Sequence, residues 1–323
     1  MSEPAPPPFD PELVPVLETI ADRVPPTLTL DMLPGLRALP ADPTVGGAVD
    51  AVVAVRDEHQ VSRDDGAELE VSVFHRPDRA GPGPGILYLH GGGMVFGNRF
   101  GGVQAYLPLT ASHGAVVVAV DYRLAPEHPA PVAVEDCYAT LRWAVDRAAD
   151  LGIDPQRMVI AGQSAGAGLA AGVALLARER GGPALLAQVL VSPMLDDRDG
   201  TVSTRQIDGI GVWDRSSNRM AWTAMLGDRR GGPDVTPAEA PARAADLSGL
   251  PPAFISAGSA EVFRDEAVAY ASGIWAGGGV AELHVWPGGF HGFENFAPQS
   301  GLAIAAAAAR DGWVRRILDA AQA

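Results

Sequence analysis

The sequence predicts an α/β protein, a mostly parallel central sheet flanked by helices and carrying a helical cap. Three observations predict it. Short apolar runs recur at 86–89, 115–120, 158–160, 186–191, 253–255 and 283–286, each bounded by glycine, proline or charge, as suits strands buried on both faces of a parallel sheet. Helix-length segments lie between most of them, at 131–150, 165–180, 264–276 and 302–321. Such alternation is the pattern of an α/β sandwich whose right-handed crossovers put helices on both faces. One connection, 196–245, is far longer than a crossover needs and holds a helical stripe of its own, Met220, Ala221, Ala224 and Met225.

In chain order, the first dozen residues are rich in proline and are expected to be loose. Leu13, Val16, Leu17, Ile20 and Val24 form a helical stripe over 11–24, and a second short helix is expected over 30–39. Residues 51–56 (AVVAVR) and 69–76 (LEVSVFHR) alternate as an antiparallel pair at a sheet edge would. The buried runs and their helices follow, with 196–245 read as an insertion above the sheet beside the N-terminal helices. The expected division is 1–48 as the N-terminal part of a helical cap and 49–195 as the first part of the core. Residues 196–245 are then the cap insertion, and 246–323 the second part of the core.

Composition narrows the function. Of 323 residues, 47% are hydrophobic and 20% charged, enough for a full core and too apolar for a disordered chain. A formal net charge of -15 repels nucleic-acid phosphates and anionic lipid, so neither is an expected partner. Cys137 is the single cysteine, so no intrachain disulfide forms, and its place in a helical segment suits a buried, inert thiol. The N-terminus lacks a basic region followed by an apolar one, and no apolar run approaches membrane-spanning length. A cytoplasmic protein is the expectation. No cluster of Cys and His has metal-ligand spacing, and neither a metal nor a cofactor is expected.

Two motifs carry chemistry. GQSAG, Gly162 to Gly166, follows an apolar strand and opens a helix rich in alanine and leucine. A serine on so sharp a strand-to-helix turn has a strained backbone and an exposed hydroxyl, and the helix start behind it offers a free N–H to an oxyanion. HGGG, His90 to Gly93, follows another apolar strand, and its consecutive glycines can turn several N–H groups toward one point. Either motif alone could be a glycine-rich turn. Both, in this order and after buried strands, point to a serine nucleophile, Ser164, beside an oxyanion hole.

A base must be found among seven histidines. His59 and His75 lie in the early antiparallel region, His90 in the glycine loop, where it is expected to brace the turn, and His113 before a strand. His128 lies in a proline-rich segment and His284 within a strand. His291, in the glycine-rich loop after the last strand, alone combines late position with access to the top of the sheet. An acid should follow the strand 253–255. Glu261 comes first, in a loop, whereas Asp265 and Glu266 open the next helix, where carboxylates commonly serve the dipole or the cap. Glu261 is therefore preferred and Asp265 is the alternative. Glutamate can serve in such a triad.

HGGG, DYRLAPEHPAP at Asp121 to Pro131, GQSAG, and SAEVFRDEAVAYA leading to FHGF together resemble the hormone-sensitive-lipase-like esterases, the bacterial family IV of the α/β-hydrolase superfamily, over about residues 85–295. The resemblance implies an α/β-hydrolase fold with oxyanion donors at Gly92, Gly93 and Ala165. It also implies a structural role for Asp121 to Pro126 in supporting the glycine loop, and a homodimer through the last strand and helix. Two departures stand out. The family usually has Asp where this chain has Gln163, and Asp where it has Glu261.

The expected activity is hydrolysis of short- to medium-chain acyl esters, with a small-molecule ester as substrate. Met94, Phe96, Trp213, Met220, Trp222 and Phe293 are the expected pocket lining, each equally suited to core packing. The same machinery would serve an amide, lactone, carbamate or acetylated small molecule. A non-catalytic small-molecule binder on this scaffold is a third reading, disfavoured because His291 is retained.

Overall fold

The computed structural model describes residues 5–21, 23–38, 44–52 and 54–322. Its strands are β1 (Val55–Ser62), β2 (Glu68–His75), β3 (Gly83–Leu89), β4 (Val116–Val120), β5 (Ile153–Gln163), β6 (Ala187–Val191), β7 (Ala253–Gly258) and β8 (Ala281–Trp286). They form one sheet in the order β1-β2-β4-β3-β5-β6-β7-β8. β2 pairs antiparallel with β1 and β4, and every other neighbouring pair is parallel. The helices are α1 (Val14–Ile20), α2 (Leu33–Arg37), α3 (Thr44–Ala51), α4 (Pro108–His113), α5 (Val132–Asp146), α6 (Ala148–Leu151), α7 (Ala165–Arg180), α8 (Val202–Gln206), α9 (Arg215–Leu226), α10 (Arg264–Ala276), α11 (Phe293–Phe296) and α12 (Gly301–Ala320).

Most of the apolar runs became strands because both faces of the sheet are covered, whereas the run at 283–286 falls in the edge strand β8, which is only partly buried. β3, β4, β6 and β7 are buried at every position. Side chains alternate between two cores. Leu87, Leu89, Val116, Val118 and Val120 pack with α5 and α7, while Ile86, Tyr88, Val117 and Ala119 share the other cluster with Trp313, Val314 and Leu318 of α12. α7 lies close against its neighbours through glycine, since a Cβ at Gly168 would collide with the Met194 carbonyl and one at Gly172 with the Ala238 carbonyl.

Differences from the sequence-based expectations concentrate before β2. The strand expected at 51–56 is displaced. Residues 44–51 are helical, with Ala48, Val49 and Val52 packed on the second cluster, and the edge strand is Val55–Ser62. Only Val61 of β1 is buried, so its mainly polar residues hide it from a hydrophobicity pattern. Residue 53 lies outside the described residues. The helix expected over 11–24 spans Val14–Ile20, and that over 30–39 is a 3₁₀ turn, Leu30–Met32, followed by α2. Residues 22 and 39 lie outside the described set. The proline-rich start is also not loose where it is described. Asp10 N–H donates to the Gly288 carbonyl at 3.0 Å, Phe9 meets Phe290 edge-on at 6.4 Å, and Leu13 is fully buried. These apolar anchors hold a segment whose prolines cannot donate to a ladder. Residues 1–4 lie outside the description.

Between β6 and β7, residues 196–245 hold α8, α9 and two 3₁₀ turns. The N-terminal segment is hydrogen-bonded to them. Leu28 N–H donates to Ser217 Oγ at 2.8 Å, Asp214 N–H to the Pro26 carbonyl at 3.2 Å, and Thr27 Oγ1 to the Asp214 carboxylate. α9 passes the glycine loop after β3 at its middle, where a Cβ built on Gly93 would meet Ala221 at 3.2 Å. No helix among the described residues is long and apolar enough to cross a membrane.

Candidate active site

Ser164 stands between β5 and α7 with φ 57° and ψ −122°, a left-handed backbone that costs a non-glycine residue about 1–3 kcal/mol unless its surroundings enforce it. Close packing enforces it here. A Cβ at Gly162 would collide with the Gly166 backbone, and one at Gly166 with the carbonyl oxygens of Leu89 and His90. Ser164 N–H is also tied to the Val191 carbonyl at 2.8 Å. The turn thus needs both glycines of GQSAG for space rather than for flexibility.

The loop after β8 brings His291 to this serine. His291 Nε2 lies 2.9 Å from Ser164 Oγ, and its Nδ1 lies 2.5 Å from Glu261 Oε2. Glu261, which follows β7, is completely buried. Its Oε1 accepts from Gly258 N–H at 2.7 Å and from Ser192 Oγ at 2.9 Å. A buried carboxylate with this many donors is fixed in orientation, so it can hold the imidazole in one tautomer and stabilise a positive charge on it. Phe263 closes one side of the imidazole edge-on at 5.0 Å and Trp213 lies 6.4 Å away. Ser164 is 6% exposed and His291 9%, so the relay is screened from bulk water, which strengthens its electrostatics.

The glycine loop lies alongside. Gly92, Gly93 and Met94 all have positive φ, 114°, 62° and 62°. Among the described residues, the N–H groups of Gly92, Gly93 and Ala165 donate to no acceptor, while the Gly92 carbonyl turns the other way to accept from Val95 and Phe96. Ala165 is the first residue of α7, where the helix leaves its N–H unpaired. Bracing comes from His90, whose Nδ1 meets the Gly91 carbonyl at 2.7 Å and whose ring stacks on Tyr122 at 4.2 Å. Burial holds its imidazole below the usual histidine range, so His90 supports the loop as a neutral ring. From the segment Asp121 to Pro126, Asp121 accepts from Arg99 N–H at 2.5 Å and Ala125 N–H donates to the Met94 carbonyl at 2.9 Å.

The two other acids are occupied elsewhere. Asp265 accepts from Ser203 N–H at 2.8 Å, at the start of α8, and from Arg264 Nε at 2.7 Å. Burial opposes its ionisation, but these partners outweigh it and hold the carboxyl below its usual range. Glu266 accepts from Leu195 N–H at 2.6 Å. Three of the other histidines are engaged away from Ser164. His75 is paired with Asp57, His113 with Asp319, and His284 with Glu282 while stacked on Trp286.

Of the residues expected to line a pocket, Trp213 and Phe96 come together near His291, their rings 6.5 Å apart. Met94, Trp222 and Phe293 are at most 2% exposed and sit in packed clusters, and Met220 is half-buried against one of them. Gln163 Oε1 accepts from Asn295 Nδ2 at 2.8 Å, which ties the serine turn to α11 just beyond His291. Ser192 and Asn295 escaped sequence reasoning. Ser192 had one cue, its place at the C-terminal end of a buried strand, and Asn295 had none.

A serine turn, an imidazole and a buried carboxylate at the C-terminal ends of parallel strands define a hydrolase of the α/β class. A family model for the alpha/beta hydrolase fold matches residues 86–295, and the chain belongs to that family, in its hormone-sensitive-lipase-like branch, family IV. Carboxylesterase NlhH of Mycobacterium tuberculosis is 34% identical over 328 residues, covering 94% of each chain. An acetyl-hydrolase of Streptomyces hygroscopicus is 35% identical over 225 residues, 69% of this chain and 72% of that one. Among solved structures, a bacterial heroin esterase superposes with a TM-score of 0.85 at 35% identity, covering 96% of this chain and 98% of that one.

Proposed function

We propose that the chain is a serine carboxylesterase that hydrolyses short- to medium-chain acyl esters through a covalent acyl-enzyme. His291 Nε2 takes the Ser164 proton as Oγ attacks the ester carbonyl, and the imidazolium then protonates the leaving alcohol. Water, deprotonated by the same nitrogen, attacks the acyl-serine and frees the acid. Glu261 holds the histidine tautomer and balances its charge. Gly92, Gly93 and Ala165 donate to the tetrahedral oxygen, and each such donor is typically worth about 3–4 kcal/mol of barrier.

The observation that carries this reading is the continuous chain from Ser164 Oγ through His291 to Glu261, at 2.9 and 2.5 Å. In the same reading, 1–48 and 196–245 act together as a cap over the core parts 49–195 and 246–323. The cap brings Trp213 beside Phe96 and limits the room for an acyl chain. A homodimer through β8 and α12 belongs to it as well. Likeness to an acetyl-hydrolase favours a second substrate reading, an acetylated small molecule.

A panel of p-nitrophenyl esters of rising chain length tests the proposal. Acetate to hexanoate should be the best substrates, and Ser164→Ala should leave only a trace of the rate. Equal hydrolysis by wild type and Ser164→Ala would refute it.

A further inference from the structure

Trp213 carries a polar group that the reaction described above leaves unused. The residue is 4% exposed, and its indole Nε1 has no hydrogen-bond partner among the described residues. Leaving a buried donor unpaired costs about 1–3 kcal/mol, so such a donor calls for an explanation. Its position supplies one. A Cβ on Gly93 would meet Trp213 Cη2 at 2.5 Å and Cζ2 at 3.0 Å. The edge of the ring running Cη2, Cζ2, Cε2 ends at Nε1. The edge that faces the oxyanion glycine therefore also carries the free N–H. The ring lies 6.4 Å from the His291 ring and 6.5 Å from Phe96. The neighbouring Asp214 anchors it by capping α9, accepting from Ser217 N–H at 2.8 Å and Gly209 N–H at 2.9 Å.

From this we infer that Trp213 is a specificity-determining hydrogen-bond donor, which selects esters bearing a second acceptor oxygen close to the scissile carbonyl. The inference rests on the esterase reading and sharpens its substrate class from simple acyl esters to alkoxy-, keto- or acyloxy-substituted ones. The physical basis is asymmetric. A substrate oxygen satisfies the indole N–H, whereas a methylene in its place leaves the donor buried and unpaired, which is the stronger kind of discrimination.

Two isosteric ester pairs test it. p-Nitrophenyl methoxyacetate and butyrate differ by oxygen against methylene on the acyl side, and 2-methoxyethyl and butyl acetate do so on the alcohol side. For each pair the ratio of kcat/KM is measured in wild type and in Trp213→Phe. Taking the ratio cancels both the folded fraction and, across variants, the intrinsic reactivity of each ester. In one pair the ratio should fall by about fivefold to tenfold in Trp213→Phe. The pair that responds shows which side the acceptor occupies. If the phenylalanine variant does not fold, a benzothienyl analogue at position 213, which keeps the indole shape without its N–H, should give the same fall. Ratios that stay unchanged in both pairs, with hydrolysis intact, would overturn the inference and leave Trp213 as a packing residue. Hydrolysis of all four esters no faster than by Ser164→Ala would overturn the esterase reading with it.

Discussion

Two neighbouring carboxylates illustrate how environment assigns a role. Glu261 and Asp265 both follow β7, and sequence position alone left both open as the acid. In the fold Glu261 meets the His291 ring, while Asp265 is turned to Ser203 and Arg264. Glu261→Gln should lower kcat by about 10³–10⁴, the scale set by loss of the correct tautomer, whereas Asp265→Asn should keep it within a few-fold. Steady-state rates on one p-nitrophenyl ester decide it, and a reversed order would move the acid to Asp265. Glu266, one residue on, is a different case. Burial raises its carboxyl well above the ordinary value, against the opposing Leu195 N–H. A raised folded-state value means that its contribution to stability is complete below the unfolded value and is lost as pH rises toward the folded one. Glu266→Gln keeps an acceptor and carries no charge. The variant should therefore gain on wild type as pH rises above the ordinary carboxylate range, and the gap should close below it. Melting temperatures between about pH 4 and 8 measure this, and a wild type that gains instead would contradict it.

At the scale of elements, what was legible in the chain was whatever is buried on both sides. The runs that became β3, β4, β6 and β7 could not be solvent-facing, and GQSAG and HGGG stood out through their glycines, of which Gly162, Gly166 and Gly92 lie against backbone that admits no Cβ. β1 was misplaced because an edge strand with one buried residue has no apolar signature, and the helix before it borrowed the alternation of AVVAVR. The bond from Ser192 to Glu261 and that from Asn295 to Gln163 were invisible, since both join residues that only the packed sheet brings together. The serine turn offers a direct test of the crowding argument. Gly166→Ala drives a Cβ into the Leu89 and His90 carbonyls and should cost about 1–3 kcal/mol or more. Gly200→Ala, with nothing within 4 Å of its Cβ, should stay within about 0.5 kcal/mol. Urea unfolding midpoints compare them, and equal effects would show that the turn tolerates a side chain.

Across the whole molecule, the sheet order sets the chemistry. Ser164 follows β5, Glu261 follows β7 and His291 follows β8, so three residues distant in sequence meet at the C-terminal ends of the parallel strands, while β3 delivers the glycine loop to the same place. The N-terminal segment and residues 196–245 are hydrogen-bonded to each other, Trp213 of the latter lies 6.4 Å from the His291 ring, and each member of the relay keeps under a tenth of its surface in water. A site so arranged should react covalently at a single atom. Stoichiometric treatment with a p-nitrophenyl alkylphosphonate, followed by mass spectrometry of the digested protein, tests this most directly. The account predicts one adduct per chain, on Ser164, with esterase activity falling in proportion to labelling. Full labelling at another residue, or activity that survives complete labelling of Ser164, would contradict it.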